Sequence, residues 1–406
     1  MPEAVVVAAT RTPIGRASKG SLAGVRPDDL AAGVVAAALA QVPGLDPTTL
    51  DDLYLGCADP RDEQGGNMAR RVAVLLGLDT VPASTVNRFC ASSLQTARMA
   101  FHAIRAGEGH AFVSAGVECV SRYRGPKGAG MDPVDRQHPA FAEAQARTAA
   151  TAASGAPWRD PRAEGLLPDV YIAMGQTAEN VAATWGVSRA DQDEYAVASQ
   201  QRAQQALATG FSARETTPVT LADGTVVTTD DGPRAGVTLE KVSALPPVFR
   251  EGGTVTAANC CPLNDGAAAT VVVSDTLARE LGLTPLARIV ATGVSALSPE
   301  VMGMGPVEAT RRALVHAGMS LADVDLVELN EAFAAQVLAS ARELGLDHDR
   351  LNVHGGAIAL GHPFGATGAR LVTTLLNGLT ERDAEVGLAT LCVGGGQGMA
   401  LLLQRL

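Results

Sequence analysis

A layered α/β fold is what this chain of 406 residues predicts, on three observations. Short apolar runs alternate with helical patterns through the first 120 residues, as expected of βα units laid against a sheet. The same alternation returns from about residue 285 to the end, which suggests two similar units and an internal duplication. Apolar residues make up 47% of the chain but aromatics only 3%, beside 43 glycines. That mix suits helices packed closely on sheet better than a core of bulky anchors.

The elements follow in order. "EAVVVAA" reads as a strand and "PDDLAAGVVAAALAQV" as a helix with acids in its first turn. "DDLYLGC" is a second strand, "NMARRVAVLLG" a helix, "STVNRFC" a strand running into another helix, and "HAFVSAGVE" a strand. From about 121 to 168 the pattern dissolves into Gly, Pro and Ala, as in "RYRGPKGAGMDP" and "ASGAPWRDPRAEG". Two helices come next, "QTAENVAATWG" and "SRADQDEYAVASQQRAQQALATG". In the second, Ser188 and Asp191 resemble a capping box and Gly210 supplies the stop. Residues 121–250 are therefore read as an inserted, loop-rich domain lying over the α/β body.

"TVTAANCCPLNDGAAATVVVSD" completes the first half, which comprises 1–120 plus 251–280. The second half, 281–406, has the strand "LARIVATGVS", the helix "PVEATRRALVHAG", the strand "VDLVELN" and the helix "EAFAAQVLASARELG". It closes with the hairpin-like "EVGLATLCV" and "GMALLLQRL". By pattern rather than identity, "NRFCASSLQTARMAFHAI" and "GHPFGATGARLVTTLLNGL" occupy equivalent places in the two halves.

A net charge of −11 argues against nucleic acid as a partner, while local arginines leave anionic small substrates open. The start, "MPEAVVVAATRTPIG", lacks the features of a signal peptide, and no apolar run reaches the roughly 18 residues of a membrane span. A cytoplasmic protein is expected. Six scattered cysteines show neither zinc nor disulfide spacing, so free thiols and no metal are expected.

Four stretches carry chemistry. In "VNRFCASSLQTARMA", Cys90 sits at or just before a first helical turn, where unpaired N–H groups and the dipole favour a thiolate. Cysteine is also a common buried residue, so position alone leaves both readings open. In "NVHGGAIALGHPFGATGAR", His362 lies in a glycine-rich loop and could serve as a base. The glycine spacing there is wrong for a dinucleotide loop, and His354 is a weaker candidate. In "ATLCVGGGQGMALLL", Cys392 ends an apolar strand beside the free amides of Gly394, Gly395 and Gly396, a setting suited to proton exchange with a carbon acid. In "VELNEAFAAQ", Asn330 either caps a helix or offers its amide to a water or a histidine. Metal ligands and a G-x-S-x-G motif are both missing. Acyl transfer through an S-acyl enzyme fits best.

"NRFCASS", "NEAFAAQ", "GGAIALGHPFGATGAR" and "CVGGGQG" resemble, in order and across the whole chain, the four active-site loops of the thiolase family. "RTPIG" and "GTVTAANCCPLNDGAAA" match as well. The resemblance implies two βαβαβ-type halves in α/β/α/β/α layers with a loop domain over a coenzyme A site, and a homodimer or homotetramer. It implies Cys90 as acylated nucleophile, His362 as its base and Cys392 as proton shuttle at Cα of acetyl-CoA. Asn330, through a water, and His362 would form one oxyanion site, and the N–H groups of Cys90 and Gly394 the other. Arg234, Phe249, Ala257, Cys261, Met174 and Phe333 fall at expected CoA and substrate contacts. CoA would be a co-substrate, with no permanently bound cofactor.

The activity so implied is reversible, ping-pong cleavage of 3-ketoacyl-CoA to acetyl-CoA and a shortened acyl-CoA, as in fatty-acid β-oxidation. The alternative is biosynthetic condensation of two acetyl-CoA. A non-catalytic acyl-CoA- or lipid-binding relative is more distant. Departures from the family pattern are Ala91 for glycine, Cys261 for serine, Ala173 for the histidine of acetoacetyl-CoA-forming members, and His354 for asparagine. Ala173 favours 3-ketoacyl-CoA of broader chain length.

Overall fold

Strand β1 (Ala4–Arg11) is rich in valine and alanine and almost wholly buried, as a strand covered on both faces must be. The computed structural model describes residues 1–124 and 137–406. The stretch 125–136, which opens the expected loop domain and includes most of "RYRGPKGAGMDP", lies outside the described residues. After β1 come the short β2 (Gly15–Arg16), α1 (Pro27–Ala40), β3 (Asp52–Gly56), α2 (Met68–Leu75), β4 (Ala83–Val86), α3 (Ser92–Ala106) and β5 (Ala111–Cys119).

The inserted segment holds α4 (Ala142–Ser154), α5 (Met174–Thr184), α6 (Arg189–Ala208), α7 (Phe211–Glu215), the ribbon β6 (Val219–Thr220) and β7 (Val226–Val227), and α8 (Leu239–Ser243). Both halves of the capping box at Ser188 and Asp191 are formed at the start of α6. Helix α4 corrects the expectation of loop between 121 and 168. Its sequence is mostly alanine, which favours helix strongly without marking an apolar face, and only Ala144 is buried.

Strand β8 (Asn264–Ser274) and α9 (Asp275–Glu280) return to the first half. The second half contains β9 (Ala287–Ala296), α10 (Gly305–Ala317), β10 (Leu326–Leu329), α11 (Ala334–Leu344), the single turn α12 (Ala357–Leu360), α13 (Thr367–Glu381), β11 (Val386–Val393) and β12 (Gln397–Arg405).

The duplication is visible in the sheet. The first half is ordered β1-β8-β5-β3-β4 and the second β9-β12-β11-β10. Directions match too: β5 is parallel to β3 and antiparallel to β8, while β11 is parallel to β10 and antiparallel to β12. Where the first half has β4, the second has a single parallel bridge from Val327 to Leu351. The two sheets join through a short antiparallel contact of Val5 and Val6 with Arg288 and Ala287.

Helices α1 and α2 cover the outer face of the first sheet, α10 and α11 that of the second, and α3 with α13 fill the layer between them. This is the expected α/β/α/β/α stacking. The central helices approach so closely that a Cβ on Gly368 would lie 2.2 Å from the backbone nitrogen of Leu94. Val181, Tyr195 and Ala196 of the inserted segment pack into the core of the second half. Buried Arg11 of the first half pairs with Glu215 and Asp230 of the insertion, each at 2.7 Å. No helix among the described residues is long and apolar enough to cross a membrane.

Candidate active site

Cys90 lies in a three-residue turn, Phe89–Ala91, that leads directly into α3. Ser92 Oγ accepts from the N–H of Arg88 at 3.0 Å and donates to the carbonyl of Phe89 at 2.6 Å, which closes the turn. Phe89 adopts φ +42°, a left-handed conformation that is costly for a side chain of this size. Backbone strain is thus held immediately before the thiol.

The Cys90 side chain opens on a cavity of about 250 Å³ whose wall also includes His362. Four of the expected CoA and substrate contacts, Met174, Phe249, Cys261 and Phe333, line this chamber. Arg234 and Ala257 lie instead in an adjoining cavity of about 370 Å³ that carries Arg16 and Lys241 as well. Cys260 lines both spaces, so a cationic vestibule meets an apolar chamber at that residue. The order suits a long ligand with an anionic head and a reactive tail.

His362 is held from three sides. Its N–H donates to Asn264 Oδ1 at 2.9 Å, and a side chain on Gly361, at φ +117°, would collide with that same amide. Its Nδ1 lies 2.6 Å from Thr367 Oγ1, and that hydroxyl donates to the carbonyl of Pro363 at 2.9 Å. With its hydrogen already committed, the hydroxyl accepts from Nδ1–H, which leaves the lone pair on Nε2. Asn330 Nδ2 lies 3.3 Å from Nε2.

Asn330 itself follows directly on β10 and is fully buried, and its Oδ1 has no hydrogen-bond partner among the described residues. The alternative reading of Asn330 as a helix cap fails, because α11 begins only after Phe333. Glu331 fixes the segment between them. It accepts from Tyr195 at 2.9 Å, Ser199 at 2.7 Å and the N–H of Ile358 at 3.1 Å.

Burial pushes the Cys90 thiol up to about 12, although the N–H of Gly394 on its sulfur draws it the other way. Burial, with the charge of Arg370 adding to it, lowers His362 to about 3. Burial thus disfavours the charged form of both groups. For the thiol this opposes the ionisation that a helix terminus favours, because removal from water costs the anion more than the nearby N–H groups return.

Cys392 ends β11, wholly buried in a small apolar cluster with Met302, Ala332 and Phe333, all three of which line the chamber. Burial first, and the neighbouring Cys90 second, raise its thiol well above the ordinary value. Gly395 and Gly396, at φ +75° and +78°, turn the chain into β12 and aim the N–H of Gly394 at Cys90. His354 stands apart, stacked on Phe211 and bonded to Glu381.

Three residues of this assembly were not singled out from the sequence. Thr367 sets the imidazole tautomer and Asn264 anchors the histidine backbone. Glu118, fully buried, accepts from Gly365 N–H at 2.8 Å, Ala58 N–H at 2.8 Å, Gln64 at 2.6 Å and Tyr123 at 2.5 Å. It bolts the turn after His362 to the first half. The available signal was an acid near the end of an otherwise apolar strand, "AFVSAGVEC".

Comparison with known proteins shows the family. The model for the N-terminal domain of thiolase matches residues 4–276, and that for the C-terminal domain matches 283–405. The chain is 43% identical to a 3-ketoacyl-CoA thiolase of Bacillus subtilis, with 98% of each chain covered. It is also 43% identical to a β-ketoadipyl-CoA thiolase of Acinetobacter baylyi over 100% of both. The crystal structure of the Bacillus anthracis acetyl-CoA acetyltransferase superposes with a TM-score of 0.87 at 38% identity, covering 100% of this chain and 99% of that one. The chain belongs to the thiolase family and is an acyltransferase.

Proposed function

We propose that Cys90 carries the acyl group in a two-step exchange between 3-ketoacyl-CoA and CoA. In the cleavage direction, Cys90 Sγ attacks the 3-keto carbon as its proton passes to His362 Nε2. The C2–C3 bond breaks, and the enolate of acetyl-CoA takes a proton from the Cys392 thiol and leaves. A CoA thiol then gives its proton to the Cys392 thiolate and attacks the S-acyl group. His362 returns its proton to Cys90 and the shortened acyl-CoA departs. Asn330, through a water, and His362 steady the enolate oxygen. The N–H groups of Cys90 and Gly394 steady the oxyanion on the acyl carbon.

The observation that carries this reading is that two cavities share a wall at Cys260. A chamber with a thiol and an unprotonated imidazole nitrogen meets a vestibule with Arg16, Arg234 and Lys241. Phosphates of CoA suit the vestibule, the pantetheine arm would pass Ala257 and Cys261, and the thioester would reach Cys90. Because a small Ala173 leaves room beyond an acetyl group, we assign the enzyme to the degradative direction, as in β-oxidation. Six free thiols suit a reducing compartment, and we place the enzyme in the cytoplasm. A homodimer, or a tetramer built from it, is proposed because β4 ends the sheet as an edge strand, with Val74 and Leu75 exposed on the adjacent α2.

The test is peptide mass spectrometry after brief exposure to acetyl-CoA. An acetyl group on Cys90, removed by added CoA, is expected. An unmodified Cys90, or an acetyl group on another residue, overturns the proposal.

A further inference from the structure

The chamber differs from the vestibule in a way that bears on the far end of the acyl chain. Its walls around Cys90 and His362 are Ala173, Met174, Leu263, Met302 and Phe364. Among the described residues, no acidic or basic side chain other than His362 lines it, and burial keeps that imidazole neutral.

The cation nearest in sequence to the wall is Arg250, beside Phe249, and it is turned elsewhere. Its guanidinium donates to Gln176 Oε1 at 2.9 and 3.0 Å and to Asn180 Oδ1 at 2.9 Å, and it lines a separate cavity with Trp158 and Glu300. Phe249 and Gly175 close the chamber on this side. The ring packs so tightly on the glycine that a Cβ there would lie 2.1 Å from it.

We propose that this chamber selects 3-ketoacyl-CoA whose acyl chain is uncharged and apolar, and rejects chains ending in a carboxylate. The inference rests on the thiolase reading above and adds the class of acyl group. A terminal carboxylate carried into the chamber loses its water and meets neither a cation nor a cluster of N–H donors. A methyl-terminated chain of equal length gains from burial against the same walls. Overall identity does not decide this point, since the β-ketoadipyl-CoA thiolase of Acinetobacter baylyi is as similar to this chain as the 3-ketoacyl-CoA thiolase of Bacillus subtilis. A handful of side chains does.

The experiment is CoA-dependent cleavage by the purified protein of 3-oxohexanoyl-CoA and 3-oxoadipyl-CoA, with acetoacetyl-CoA as the short reference. The first two share six acyl carbons and differ by a terminal methyl or carboxylate. We expect kcat/KM to favour 3-oxohexanoyl-CoA by at least roughly 100-fold. In addition, Ala173→Leu should lower cleavage of 3-oxohexanoyl-CoA about tenfold more than that of acetoacetyl-CoA, since the added bulk enters the chamber. Equal or better cleavage of 3-oxoadipyl-CoA overturns the proposal, and so does cleavage of acetoacetyl-CoA alone. An unchanged preference in Ala173→Leu places the acyl chain elsewhere and overturns it too. Cleavage of none of the three sinks the thiolase reading itself, and this inference with it.

Discussion

The two halves of the molecule place equivalent turns before equivalent helices but surround them differently. Phe89–Ala91 precedes α3 and Phe364–Ala366 precedes α13, and the two helices each run 15 residues through the central layer. Cys90 and Gly365 are the middle residues of these turns. Around Cys90 the turn opens on the chamber. Around Gly365 it is closed, and a Cβ there would lie 2.4 Å from the carbonyl of Val117 and 2.8 Å from Cys57 Cα. The second turn has no space for a nucleophile. It contributes the histidine three residues earlier, held by Thr367 at the start of its own helix. The two halves bring two like helix starts together, and packing leaves the one at Cys90 open to the chamber and the one at Gly365 closed.

If the two turns are complementary, the largest loss should follow removal of the second half's base. His362→Ala is expected to slow cleavage by roughly 10³- to 10⁴-fold. It should also change the pH dependence of Cys90 alkylation. Burial holds the thiol and the imidazole neutral from pH 5 to 9, so where Nε2 removes the Cys90 proton during the attack itself, alkylation of the intact protein should stay flat across that range. In His362→Ala the thiol must release its proton to solvent, and the rate should rise about tenfold per pH unit. A flat profile in the variant would break the pairing of the two halves.

Cys392→Ala separates the roles more finely. Acetyl transfer from acetyl-CoA to Cys90 should persist, while carbon–carbon cleavage falls by roughly 10²- to 10³-fold. Loss of both steps together would assign Cys392 to the first chemistry as well. The packing side of the comparison is tested by Gly368→Ala, which forces apart α3 and α13. A fall in unfolding free energy of about 2–3 kcal/mol, read from denaturant titration, is expected. The smallest effect should come from Thr367→Val. It keeps the shape but removes the acceptor for Nδ1–H, and kcat should drop about tenfold with KM little changed. A change in KM alone would argue that Thr367 shapes the binding site rather than orienting the ring.

Much of the architecture was legible because strand and helix periods leave a direct trace in the chain. The strand "HAFVSAGVE", the capping box at Ser188 and the final hairpin need only local pattern and turn chemistry. Helix α4 escaped because alanine supports a helix without drawing an apolar stripe. At the site, Cys90, His362, Cys392 and Asn330 stood out because each lies near the start or end of an element, His362 and Cys392 beside glycines. Thr367, Asn264 and Glu118 did not, because their importance comes from partners 5, 98 and 247 residues away.

The sequence by itself determined which elements form, that they come twice, and which thiols and imidazole are available for acyl chemistry. Hydrophobic period, turn residues and reactive side chains are local properties, and the chain states them directly. Only the tertiary structure decided that burial opposes ionisation of the Cys90 thiol, which nitrogen of His362 keeps its lone pair, and that no cation among the described residues lines the chamber. Those outcomes depend on loss of water and on contacts between distant segments, and neither exists until the two halves and the inserted segment have packed.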